Sequence, residues 1–184
     1  MKYSTVAKLI ALNFVPIIVL FFGWVFGGLQ LSIAGGSQYE STYVIYLIIA
    51  IFIAAMVMLF YRAKQVDDEL TESSWWVGQS PDFIELSLDH RLQPIVYMGY
   101  SLVVFGLIGT VIGFIFGLNG IDPEAMGDLP TMISSLGGIL QGVGIAYYTT
   151  LVGSIGDIWL GFNILIVAGA LNRLRLRALQ RQPA

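Results

Sequence analysis

"FGLIGTVIGFIFG", residues Phe105–Gly117, is an apolar run that carries four glycines and one threonine. Glycine in a helix costs about 1 kcal/mol relative to alanine, and a lone hydroxyl gains nothing from hydrocarbon. Yet the run lies inside a charge-free segment, Ile95–Leu118, and about 20 apolar residues suffice to cross a bilayer. Lipid offers backbone groups no partners, so such a segment is helical. On a helix Gly109, Gly113 and Gly117 recur every fourth residue and form one smooth stripe, with Gly106 just before it. Stripes of this kind let two helix backbones approach closely, and dispersion does the rest. Thr110 lies one residue round from the stripe.

Working outward, three more segments are apolar enough to span: Leu9–Leu29, Tyr43–Tyr61 and Ile139–Leu171. Only the last contains a charge, Asp157. The chain of 184 residues is 57% hydrophobic and 11% charged, with a mean hydropathy of +0.79. An ordinary soluble domain carries about a quarter charged residues, so that class is excluded. Lys2 and Lys8 precede the first span, Arg62, Lys64 and Arg91 fall between the second and third, and Arg173, Arg175, Arg177 and Arg181 follow the fourth. The connections 30–42 and 119–138 hold no Lys or Arg. The positive-inside rule then predicts an all-α membrane protein with four transmembrane helices and both termini cytoplasmic. It divides into an outer helical hairpin over 1–61 (spans 9–29 and 43–61), a small cytoplasmic segment over 62–93, and a second hairpin over 94–184 (spans 95–118 and 139–171) with a basic tail.

The opening "MKYSTVAKLIALNFVPIIVLFFGWVFGG" has an apolar run longer than the 7–15 residues of a signal peptide and reads as a span. Asn13 and Pro16 within it suggest a kink or an interhelical hydrogen bond. In the segment 62–93, Ser80-Pro81-Asp82 is a helix start, and Trp75 and Trp76 suit a membrane–water boundary. His90 is expected in solvent. Asp122-Pro123-Glu124 is a second start signal, in the outer connection. The fourth span is too long for a bilayer of about 30 Å, so its end should project into the cytoplasm, with its arginines as topology anchors. There are no cysteines, and no nucleotide loop, metal cluster, nucleophile–base pair or nucleic-acid signature. The expectation is a protein that is not an enzyme and carries no cofactor.

The fourth span holds a second polar constellation, "GVGIAYYTTLVGSIGDIWLGFN", Gly142–Asn163. At about 100° per residue, Asp157 falls within about 20° of Thr150, with Ser154 about 40° away. The three make a polar track on an apolar helix. Thr149 is one step round, on the face of Gly153 and Gly156. An ionised Asp157 at the bilayer centre would cost about 2.5–3.5 kcal/mol, so it is either part of an ion path, near the inner headgroups, or paired with Asn163 or a neighbouring hydroxyl. Thr110 and Thr150 either line a polar path or bond their own preceding-turn carbonyls. Tyr147-Tyr148 reads as buried aromatic packing.

"GLIGTVIGF", Gly106–Phe114, resembles the G-L-x-G-T-V-x-G core of the MotA/TolQ/ExbB family of ion-channel motor subunits. "GVGIAYYTTLVG" resembles that family's next membrane helix, with Gly142, Thr150 and Gly153 at the matching spacing. The resemblance covers roughly Tyr97–Asn172. It implies a homo-pentamer in the bacterial inner membrane whose last two spans line a central pore, with Gly106, Gly109, Gly113, Gly117, Gly142, Gly153 and Gly156 in helix packing. It implies a dimer of a single-span MotB/TolR/ExbD-like partner inside that pore. Thr110 and Thr150 would be pore-facing hydroxyls on the path of a transported H+ or Na+, with Thr149 beside them. Asp157 is not a usual acid of that family, and with Ser154 it either continues the path toward the cytoplasm or is incidental to it. The glutamate that TolQ and ExbB carry before the second threonine is Ile145 here, and the large cytoplasmic domain of flagellar stators is absent. Two other readings stand beside this one: a non-conducting assembly subunit, and a small transporter that binds substrate at Asp157.

Overall fold

The computed structural model describes residues 4–14, 42–71, 81–119 and 129–180. They form five helices: α1 (Thr5–Phe14), α2 (Thr42–Thr71), α3 (Pro81–Asp89), α4 (Gln93–Asn119) and α5 (Leu129–Gln180). Three of them, α2, α4 and α5, are long and apolar enough to cross a membrane. α1 is a shorter apolar helix. The remainder of the predicted first span, Pro16, Trp75, Trp76 and the start signal at Asp122-Pro123-Glu124 lie outside the described residues.

α3 begins at Pro81 with Asp82 in its first turn, where proline loses no hydrogen bond and an acid meets the positive helix end. The chain then turns through His90–Leu92, and the Leu92 carbonyl accepts the amides of Ile95 and Val96 at 3.0 Å to open α4. α5 differs from its predicted span of 139–171. It is one helix of 52 residues, about 78 Å long at 1.5 Å per residue. Its only proline, Pro130, sits in the first turn and breaks nothing. Its last turns, "NRLRLRALQ", are mostly good helix formers, so the apolar-to-basic change does not end the helix.

α4 and α5 pack against each other along their lengths, and α2 packs on both. Ile48, Ala55, Leu59, Ile95, Leu102, Leu160 and Val167 are buried between them, as is Leu9 of α1. Helices in lipid gain no hydrophobic drive from one another, so this layer depends on close fit and hydrogen bonds. Past the charge-free run of α2 the core continues with Ala63, Val66, Leu88, Leu171, Leu174 and Ala178. There, among charged residues, water exclusion adds about 1.5–3 kcal/mol for each fully buried large aliphatic side chain. Arg91 grips both carboxylate oxygens of Glu69 at 2.9 Å, and Arg177 Nη1 donates to the Leu70 carbonyl at 3.0 Å. His90 is exposed, its ring Nδ1 3.0 Å from Gln93 Oε1.

The start of α1 is held by an acid from another helix. Asp67 lies two turns past Tyr61, beyond the apolar run, and its carboxylate accepts the amides of Thr5 (2.9 Å) and Val6 (3.0 Å). Ser4 Oγ accepts the amide of Ala7 at 3.1 Å. Together they satisfy three of the donors that a helix start leaves free. Burial alone would raise the Asp67 pKa. Hydrogen bonds from the Thr5 hydroxyl, the Val6 and Thr5 amides and the Ser4 hydroxyl outweigh it and hold the carboxyl below its ordinary value.

Candidate functional site: the seam between α4 and α5

The glycines of both motifs meet along one antiparallel seam. Gly117 lies against Ile139 and Gly142, Gly113 against Gly142 and Ala146, Gly109 under Thr149, and Gly106 against Thr149 and Thr150. A Cβ at Gly113 would fall 2.7 Å from the Gly142 carbonyl oxygen and the Ala146 nitrogen, and one at Gly153 would fall 2.5 Å from the Leu102 carbonyl oxygen. These obstacles are backbone and cannot step aside, so the seam requires glycine at both positions. Gly156 is looser: its nearest neighbours are the side chains of Leu102 (3.5 Å) and Phe52 (3.6 Å). The Gly109–Gly113–Gly117 stripe is thus occupied by contacts within one chain.

Thr149 is fully buried in the seam (0% exposed), and its Oγ1 donates to the carbonyls of Ala146 (3.0 Å) and Ile145 (3.3 Å). Thr110 and Thr150 sit at its edge, half-buried. Their two hydroxyls are hydrogen-bonded to each other. Thr110 Oγ1 also donates to Gly106 O at 3.1 Å and Ala146 O at 3.3 Å, and Thr150 Oγ1 to Gly106 O at 3.3 Å. The preceding-turn bond of Thr110 is therefore present, and so is a bond across the helices. Two hydroxyls and two carbonyls from opposite helices converge on one spot. Each of the two hydroxyls carries one proton, while the carbonyls also accept their own helix amides and, at Ala146, the Thr149 hydroxyl. The lone pairs left for a small hard cation or for passing a proton are therefore chiefly those of the two hydroxyls.

Asp157 lies about 10 Å along α5 from Thr150, toward the arginine-bearing end. It stands inside the apolar stretch of every helix beside it. Its neighbour Gly156 meets Phe52, at the middle of the charge-free run of α2. Its own carboxylate lies over Gly99, about 9 Å from the polar start of α4. It is half-buried and makes no hydrogen bond or ion pair among the described residues. Ser154, between Thr150 and Asp157, is also half-buried.

Of the alternatives for Asp157, pairing with Asn163 is not formed, and Asn163 belongs to another network. Asn163, fully buried (0% exposed), accepts Asn13 Nδ2 at 2.6 Å through its Oδ1 and donates to Trp159 O at 2.8 Å. Asn13 accepts Trp159 Nε1 at 2.9 Å and donates a second bond to Leu9 O at 2.8 Å. Asn163 is engaged with Asn13 and Trp159 and makes no bond to Asp157. These bonds also supply the interhelical bond expected of Asn13. Within the single chain Tyr147 and Tyr148 are 72% and 44% exposed, so they do not pack in its core. Ala146 and Thr149 take the seam, and helical rotation turns the residues between them outward.

Two contributors escaped the sequence reading. Trp159 is a hydrogen-bond donor inside the asparagine network. Gly99 carries the glycine and small-residue spacing of α4 one step further, through "GYSLVVFG", Gly99–Gly106, which is the signal that would have found it.

Compared with known proteins, the chain matches no family model, no curated protein and no solved structure.

Proposed function

We propose that this chain is the ring subunit of an ion-driven rotary motor. Five copies in a bacterial inner membrane, both termini cytoplasmic, would surround a dimer of a single-span MotB/TolR/ExbD-like partner. H+ or Na+ would pass through the central pore, past the hydroxyls at the edge of the seam, and turn one component about the other to do mechanical work across the envelope. The reading rests on one observation, the oxygen cluster of Thr110, Thr150, Gly106 O and Ala146 O at the edge of an otherwise apolar helix pair. The resemblance of the two glycine–threonine motifs supports it. A cation entering from water gives up its shell only where fixed oxygens replace it, and this cluster is such a place. One elementary charge crossing 100 mV delivers about 2.3 kcal/mol, enough for small repeated steps. Nothing in this role requires a cofactor or enzymatic chemistry.

The test is Thr150→Val, which keeps the branched shape and deletes the hydroxyl. In vesicles containing the chain co-expressed with its single-span genomic neighbour, dye-reported ion flux should be lost while the mass of the extracted complex stays the same. Unchanged flux removes the threonines from the mechanism. The hydroxyls are also partnered within one chain, which favours a non-conducting assembly subunit as the second reading. That reading predicts a complex of normal mass in which the unaltered protein carries no flux.

A further inference from the structure

Most seam glycines make room for backbone, but Gly99 does not. A Cβ at Gly106, Gly113, Gly117, Gly142 or Gly153 would meet backbone atoms of the facing helix at contact distance or closer. At Gly99 it would meet side chains only: Asp157 Oδ1 at 2.8 Å and Leu160 Cδ2 at 3.6 Å. The helices are far enough apart there for alanine. What fills the space is the carboxylate of Asp157.

We propose that Gly99 is a positioning residue: the bare α4 backbone at Gly99 seats the Asp157 carboxylate in the seam. The carboxylate is thereby held as the station between the threonine cluster and the arginine-bearing end. The ligand class is a proton or a small monovalent cation, and the proposal rests on the ion-conducting reading above. Three observations carry it. Asp157 has no hydrogen-bond or ion-pair partner among the described residues, so nothing else there fixes its direction. It lies inside the apolar stretch, where a carboxylate facing lipid is costly and one facing the neighbouring helix needs room there. And a seat made of Cα alone lets the carboxylate lie close to α4 while one face stays open, in keeping with its half-burial. Gly99 gives no donor that would lock the charge in place, which suits a group that must take up an ion and release it.

Gly99→Ala separates positioning from packing. The carboxylate oxygen is the far end of a flexible side chain and can swing away, so the fold should survive, and alanine is the better helix former. Two readouts are taken on the full chain in lipid, each as a cycle with Asp157→Ala. In thermal unfolding followed by helix content, Gly99→Ala should raise Tm more in the Asp157→Ala background than in the unaltered protein, because the obstruction has been removed. Equal shifts in both backgrounds overturn the seat. In the vesicle flux assay with the partner present, Gly99→Ala should lose flux to the level of Asp157→Ala, and the double variant should be no worse than either. Full flux in Gly99→Ala, or losses that multiply, overturns the positioning role. Unfolding needs no flux, so the contact is judged even if Thr150→Val proves silent and the motor reading falls. Gly99→Ala that unfolds early would show that Gly99 packs backbone after all, and also overturns the proposal.

Discussion

Single side chains decide how the apolar helices are tied together. Asn13, Trp159 and Asn163 are a closed set of hydrogen bonds between α1 and α5. Measured interhelical hydrogen bonds in membranes average about 0.6 and reach about 1.7 kcal/mol. Asn163→Ala should therefore lower the unfolding free energy of the lipid-embedded chain by about 1–2 kcal/mol, and a cycle with Asn13→Ala should show coupling between the two positions. Asp67 makes a prediction of opposite origin. Its folded-state pKa lies below the ordinary 3.8, so the charged form belongs to the folded state. Its contribution is fully present above 3.8 and is lost as pH falls through the lower folded value. The protection of the Thr5 and Val6 amides against hydrogen exchange, taken relative to their intrinsic rates, should fall in that acid window. Asp67→Ala should show the same loss of protection at neutral pH, with a cost of about 1 kcal/mol. The sequence made Asn13 legible as a bonding group, but not its partners. Those depend on α1 lying beside α5, a packing fact that no local pattern encodes. Asp67 drew no reading of its own from the sequence for the same reason.

At the scale of an element, glycines fall into two kinds that the sequence does not distinguish. Gly113 meets backbone on all sides of its missing side chain, whereas a Cβ at Gly144 would meet nothing within 4 Å. Gly113→Ala should force α4 and α5 apart and cost about 1–3 kcal/mol, the usual scale of overpacking. Gly144→Ala should be neutral or gain up to about 1 kcal/mol of helix propensity. Thermal unfolding of the two variants side by side checks the contrast. The four-residue spacing announced the stripe on α4, since helical period alone sets which residues share a face. It did not say which helix the stripe would meet. The continuation of α5 past its apolar run and through its arginines followed from the length of that run, whereas its start at Leu129 did not, because hydropathy reports where a helix enters lipid and not where it begins. Tyr147 and Tyr148 turn off the α4–α5 seam of the single chain because rotation about the axis, and not aromatic character, decides which residues face it.

At the scale of the whole molecule, the all-helical class and the apolar long helices follow directly from composition, since nothing else satisfies backbone groups in hydrocarbon. The polar track of Thr150, Ser154 and Asp157 was also legible, being a matter of angle along one helix. The union of Thr110 with Thr150 was not, because it needs the register of two helices separated by a connection. The continuous α5 then has a mechanical consequence. Between Thr150 and Gln180 it runs about 45 Å without a break, and an unkinked helix bends only gently over such a distance. Under the proposed motor reading it would act as a lever arm with its fulcrum beside the hydroxyl cluster. A tilt of about 5° there would sweep the far tip sideways by about 4 Å. That is enough to drag Arg177 off the Leu70 carbonyl it now holds at 3.0 Å, so a small event among a few oxygens would be delivered, amplified, to the other end of the chain.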